Sequence, residues 1–406
     1  MSHLPLDQCT PKVYARLGQA LWSWEPCNEC LNTDDIKAAP CCECPVDRAD
    51  RYFRFYQAVV HEYYASSISP IFKNHHDLFR AIIRLRTNPQ TTRNELLEFI
   101  APSCSDVDEQ TSATALVTRI VVMVECSTIY QSADRLEKGL SNVPWNENTS
   151  INSYIGGFFS NQNSATLQCL LWDSDLRHGS KSTLRATKLR KRLKLRLRPT
   201  HDLRNHLKLN RQGGELEIFH HAAFLKEQLW ATNAHRRQGG TSNATASATL
   251  LPRQLLLEIL DSLQRILFPL DDAASKRLLR RLIKSSDTAF DPSLLQFEYS
   301  SLIHATENDG KEDQEGHSNS RNSMAGGGAV RYQYLGSRLA ELREELENPP
   351  PRRWFDRQLQ RRSSGRYVMM VTLAGVVFAV LSLMMSAIQT WIAYQAWKRP
   401  YDPSPP

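Results

Sequence analysis

Five closely spaced cysteines lie between Cys27 and Cys44, and four of them repeat one unit. Pro26-Cys27-Asn28-Glu29-Cys30 is followed by Pro40-Cys41-Cys42-Glu43-Cys44. Read for spacing, this is C-x2-C, ten residues, C-x2-C. Each thiolate pair can clasp a metal from one tight turn, and two pairs close a tetrahedral site. The spacing predicts a structural zinc ion on Cys27, Cys30, Cys41 and Cys44. Reduced surface thiols are the competing reading: the gap is shorter than the usual run of about fifteen to twenty residues, no knuckle glycine follows, and Cys42 makes the ligand set ambiguous. A catalytic zinc is not expected, because no nearby histidine or carboxylate supplies an open coordination set.

Other reactive residue types carry less. His61, His75 and His76 fall in helical patterns, and adjacent histidines on a helix point about 100° apart, so core or surface roles are expected for them. The sequence has no Gly-rich phosphate loop ending in Lys and Ser or Thr, no G-x-S-x-G elbow and no H-E-x-x-H helix; His61-Glu62 lacks a second histidine. The chain is read as non-enzymatic. Its cations are unevenly spread: net charge is +7, yet Lys181 to Arg198 holds nine basic residues and no acid. Within that run Arg192 to Arg198 alternates strictly with leucine, which predicts a strand with leucines inward and cations outward. Arg190, Lys191, Arg192, Lys194, Arg196 and Arg198 are thus candidates for an anionic surface, against the plainer reading of a solvated strand face. No aromatic side chains interleave to stack bases, so lipid headgroups are favoured over nucleic acid.

These residues need a setting, and Tyr367 to Trp397 defines it, a stretch without Asp, Glu, Lys or Arg. It reads as a single transmembrane helix, with Tyr367 at one end and Trp391, Tyr394 and Trp397 at the other, where amphipathic rings favour the headgroup level. Arg352, Arg353, Arg357, Arg361, Arg362 and Arg366 precede it, opposed by Asp356 alone, so the preceding body is expected in the cytosol. A basic collar of this kind suits an anionic leaflet. With no apolar signal segment near Met1, the expectation is tail anchoring, a reducing compartment for the cysteines and idle sequons at Asn148 and Asn243. Small residues at Gly375, Ala379, Ser382, Ser386, Thr390 and Ala393 step along one helix face. Such a seam predicts a homo-oligomer or a membrane-protein partner, with a simple anchor as the alternative.

The rest of the chain reads as mainly α with a small α+β module: an α-helical cytosolic body plus the single C-terminal transmembrane helix. The expected divisions are a Cys-rich segment at 1–47, an α-rich domain at 48–230 with a β element near 190–220, and a polar linker at 231–250. A helical hairpin follows at 251–303, then a hydrophilic tether at 304–330 and a charged helix with basic collar at 331–366. The span covers 367–397, and the tail 398–406. Tyr52, Phe55, Tyr56, Val59, Val60 and Tyr63 make an aromatic helix face. Leu335, Leu339, Leu342 and Leu346 make two heptads of a coiled coil.

Several segments together resemble a large family of uncharacterised membrane proteins of filamentous ascomycete fungi. They are Cys126-Ser127 through Gln131-Ser132 to Leu136-Glu137-Lys138-Gly139, Asp202 to Leu207, Ile218-Phe219-His220-His221 to Leu229, Leu256 to Leu263, Arg366 to Met370, and Trp391 to Trp397. The resemblance runs from about residue 110 to the end. It implies a fungal source and one C-terminal span, and it implies no activity, catalytic residue or ligand. The reading is therefore a single-pass interaction or scaffold protein with cytosolic protein partners. The alternatives are a zinc-knuckle nucleic-acid-binding or anionic-lipid-binding protein and, behind these, an oligomeric ion-transport subunit.

Overall fold

The computed structural model describes residues 5–6, 8–25, 45–102, 104–125, 145–158, 184–237, 250–285, 290–296, 332–349 and 366–398. The chain is mainly α, with a three-stranded sheet, and divides into a folded body ending at Glu347 and the segment from Asn348 on. Helix α1 (Pro11–Trp22) starts where the Thr10 hydroxyl accepts the Val13 N–H at 3.4 Å, with Pro11 at a position whose N–H would be unpaired anyway. Val13, Leu17, Ala20 and Leu21 form its buried stripe. The indole of Trp24 folds back over Gly18, where a Cβ would stand 2.0 Å from Trp24 Cε3, and its Nε1 donates to Glu227 at 2.9 Å. A core helix thus occupies part of the stretch read as a Cys-rich segment at 1–47.

The aromatic face belongs to α2 (Asp50–Ser66), where Tyr52, Phe53, Phe55, Tyr56 and Tyr63 are all buried. Asn74, Thr92 and Asp106 cap α3 (His75–Thr87), α4 (Arg93–Ile100) and α5 (Val107–Val122), each accepting an N–H of the first turn. Helix α1 packs on α3, α2 on α5, and α4 on both α3 and α5. Polar pins cross these interfaces. Tyr52 Oη donates to the Ile120 carbonyl at 2.6 Å. His75 Nε2 donates to the Gln8 carbonyl at 3.1 Å, which leaves Nδ1 to accept the Tyr56 hydroxyl at 2.6 Å. His75 is therefore a core histidine with both nitrogens engaged.

After α6 (Ile151–Phe158) and α7 (Ala186–Arg192) comes the sheet: β1 (Arg196–Thr200), β2 (Lys208–Asn210) and β3 (Glu215–Phe219), in the order β1-β3-β2. Strands β2 and β3 form an antiparallel hairpin across Arg211 to Gly214, with Gly214 at φ 63°, a conformation that favours glycine. Strand β1 runs parallel to β3, from Arg196 opposite Glu215 to Thr200 opposite Phe219. The strand expected over Arg192 to Arg198 is shorter, because α7 runs to Arg192 and Lys194 turns the chain at φ 53°. The alternation holds through that turn: Leu193, Leu195 and Leu197 are buried, while Arg192, Lys194, Arg196 and Arg198 are exposed.

Helix α8 (Ala222–Arg237) packs against α1, α2 and α9 (Arg253–Asp261), so helical structure continues past the expected boundary at 230. A π-helical turn, Ser262–Leu267, extends α9, and Asp272 caps α10 (Ala273–Lys284). The expected hairpin is not the main use of these two stripes. Helix α9 packs chiefly on α8, and α10 packs on α7 and the turn Pro292–Leu295. Likewise Leu335, Leu339, Leu342 and Leu346 are buried in the body, where α11 (Gly336–Glu347) packs on β2 instead of presenting a coiled-coil seam.

The second unit contains α12 (Arg366–Lys398), whose side chains from Thr372 onward are all exposed. Its 27 residues from Thr372 to Lys398 measure about 40 Å, against a hydrocarbon core of about 30 Å. The helix is long and apolar enough to cross a membrane, and none of it is buried in protein as a core helix would be. Thr390 donates its hydroxyl to the Ser386 carbonyl at 2.8 Å, so that polar group is satisfied within the helix.

Candidate metal centre

The parallel pairing of β1 with β3 brings together histidines that are distant in sequence. Thr200 and Phe219 are opposite partners at the ends of the two strands, and each is followed at once by a histidine, His201 and His220. His221 comes next, immediately before α8. Because neither His220 nor His221 lies within the helix, their rings are not forced apart by helical geometry. Their centroids are 4.1 Å apart, and that of His201 lies 5.2 Å from His220 and 5.0 Å from His221. One ligating atom from each ring falls within 4.8 Å of the others. His201 Nδ1 and His221 Nε2 are hydrogen-bonded at 2.7 Å.

Phe55 from α2 covers the group, 5.2 Å from His201 and 5.3 Å from His221, while Phe219 and Phe290 close other sides. His220 and His221 are buried; His201 is exposed and forms the solvent edge. Burial drives all three rings toward the neutral form. It pushes His220 down to about 3, helped by His201 and Arg51, holds His221 well below the ordinary range, and lowers His201, which also feels Arg119 and Arg51. Neutral imidazole is the form that binds metals. Asp202, next to His201, is committed elsewhere: Arg204 clasps its carboxylate at 2.6 and 3.1 Å and also donates to the Glu125 carbonyl. Chemically the cluster is a small all-nitrogen donor set with one open edge.

None of the residues singled out by spacing belongs to this cluster. Cys27, Cys30, Cys41 and Cys44 fall outside the described residues, as do Arg361 and Arg362. Arg366 and Tyr367 begin α12, and Gly375, Ala379, Ser382, Ser386, Trp391 and Trp397 lie along its exposed length. Arg190, Lys191 and Arg192 end α7, and Lys194, Arg196 and Arg198 continue onto β1, all exposed. The packing of α7 on α10 adds Arg277, Arg280, Arg281 and Lys284, also exposed, on a neighbouring element. The histidine cluster was missed because no spacing rule links positions 201 and 220. The available signal was weak: a histidine directly after each of two short β-patterned runs. Comparison with known protein families, with curated proteins and with solved structures finds no match.

Proposed function

We propose that this chain is a single-pass, tail-anchored membrane protein whose helical body is a non-enzymatic interaction module in the cytosol. The observation that carries the reading is α12, an apolar helix of membrane-spanning length with every described side chain exposed, in contrast to a body that buries most of its described leucines and aromatics. Only a hydrocarbon solvent or another apolar surface removes that helix from water. The arginines ahead of it favour a cytosolic body by the positive-inside rule. The exposed cations of α7, β1 and α10 support contact with an anionic leaflet, and the small residues of α12 support pairing with a second copy or another span. On this reading the cysteine quartet holds a structural zinc ion in a reducing compartment. The resemblance to fungal membrane proteins with one C-terminal span points the same way.

Protease protection on intact membranes tests this, with separate tags at Met1 and Pro406. The expected result is loss of the N-terminal tag and protection of the fragment that carries α12 and the C-terminal tag. Protection of the body, with glycans at Asn148 and Asn243, would reverse the orientation and remove the tail-anchor and cytosolic-zinc readings together.

A further inference from the structure

We infer that His201, His220 and His221 bind a borderline divalent transition metal of the zinc type, without need of the cysteine quartet and independent of the membrane reading. A set of hydrogen-bonded core histidines would pair its buried nitrogens, as His75 does. Here the bond between His201 and His221 leaves Nδ1 of His220 and Nδ1 of His221 buried with no partner. Two such atoms in one cluster are costly, since buried polar atoms in folded proteins nearly always find partners. Coordination through His220 Nδ1 would satisfy one of these atoms, with His201 Nδ1 and His221 Nε2, which already face each other, as the other ligands.

The geometry is close to what ligation needs. Metal–nitrogen bonds of about 2.0–2.1 Å place the ligand atoms of a tetrahedral site roughly 3.3 Å apart. The short His201–His221 separation of 2.7 Å would open by about 0.6 Å and the widest separation would close by at most about 1.5 Å. His201, the exposed member, is the ring with most room to adjust. Three protein ligands would leave a fourth position at the solvent edge.

The donor set also selects the metal. Calcium and magnesium take oxygen ligands, whereas imidazole suits zinc, copper and nickel. Arg51 of α2 and Arg119 of α5 act on the cluster and disfavour added positive charge. Arg119 is partly offset by Glu62 at 2.9 Å and Glu125 at 3.9 Å. Binding therefore rests on imidazole lone pairs, which excludes hard cations further.

The experiment uses the full chain in detergent with Cys27, Cys30, Cys41 and Cys44 all changed to Ser, stripped with chelator. Cobalt(II) is titrated and followed by visible absorption, and zinc(II) retained through gel filtration is measured by elemental mass spectrometry. The expected result is one equivalent of either metal, with ligand-field bands of a low-coordinate nitrogen site and no thiolate-to-cobalt charge transfer. His201→Ala, at the exposed edge where folding is least at risk, should weaken binding at least tenfold, and His201→Gln should do the same. Absence of stoichiometric binding in the four-serine chain, or equal affinity with and without His201, would overturn the inference. Zinc bound only by the chain with its cysteines would likewise overturn it, leaving the cysteine quartet as the metal site.

Discussion

His206 lies close to the metal-binding candidates in sequence but does different work. Its Nδ1 accepts the Phe219 N–H at 3.2 Å, so Nε2 carries the proton and donates to Ser262 Oγ at 2.7 Å, and Ser262 passes the bond on to the Ile259 carbonyl at 2.7 Å. The chain of bonds ties β3 to the end of α9 and works only with a neutral ring. Burial, with Arg338 adding to it, pushes His206 down to about 3. In the unfolded chain it titrates near about 6.5. A depressed pKa contributes stability that is whole above the unfolded value and is lost as pH falls toward the folded one. Each pH unit in that window costs about 1.4 kcal/mol for this one group. Guanidinium denaturation at pH 7 and pH 5 should show a loss of about 2 kcal/mol from this residue, since roughly 1.5 units of the window are crossed. A His206→Gln chain, though less stable at pH 7, should lose correspondingly less between the two pH values. An equal loss in both chains would remove His206 from the account.

At the scale of elements, the feature that organises the body's C-terminal part is a carboxylate. Glu258 on α9 is fully buried and accepts the N–H groups of Gln333, Tyr334 and Leu335, the last two at 2.9 Å, just ahead of α11. It satisfies donors at a helix N-terminus that would otherwise be orphaned. Tyr332 adds a hydroxyl bond to Asp261, and Arg338 donates to the His206 carbonyl. Glu258→Ala strands the buried Leu335 N–H, at about 1–3 kcal/mol, and two partly buried N–H groups, those of Gln333 and Tyr334. It should lower stability by at least about 2 kcal/mol and open α11 to tryptic cleavage at Arg338 and Arg343 under conditions where the parent chain resists. Unchanged cleavage would mean that the leucines alone hold α11. The four-three-four leucine spacing was readable as an apolar face. What it faces was not, because periodicity identifies a stripe without naming its cover.

For the whole molecule, the decisive contrast is between a body that buries most of its described apolar side chains and a helix whose described apolar side chains are all exposed. Deleting residues 366–406 should move the protein from the membrane pellet to the supernatant after alkaline carbonate extraction, while the parent chain stays in the pellet. If the shortened chain releases only at high salt, the cations of α7, β1 and α10 supply the remaining attachment, since such contacts are screened within about 10 Å at 0.1 M salt. Full release without salt would limit attachment to α12.

The sequence by itself determined the class of structure, the long apolar helix, the aromatic face of α2, the small β element near 190–220 and the inward leucines around β1. All of these are local: a period of two or about four, a run without charge, or a glycine in a turn can be read from neighbouring residues. Only the tertiary structure decided that α1 joins the core, that α9 and α10 pack chiefly on other elements, that Glu258 holds α11, and that His201 meets His220 and His221. These depend on pairings between distant positions. The parallel register of β1 on β3 is the clearest case, because its two strands are separated by β2 and no local pattern states which strand will lie beside which.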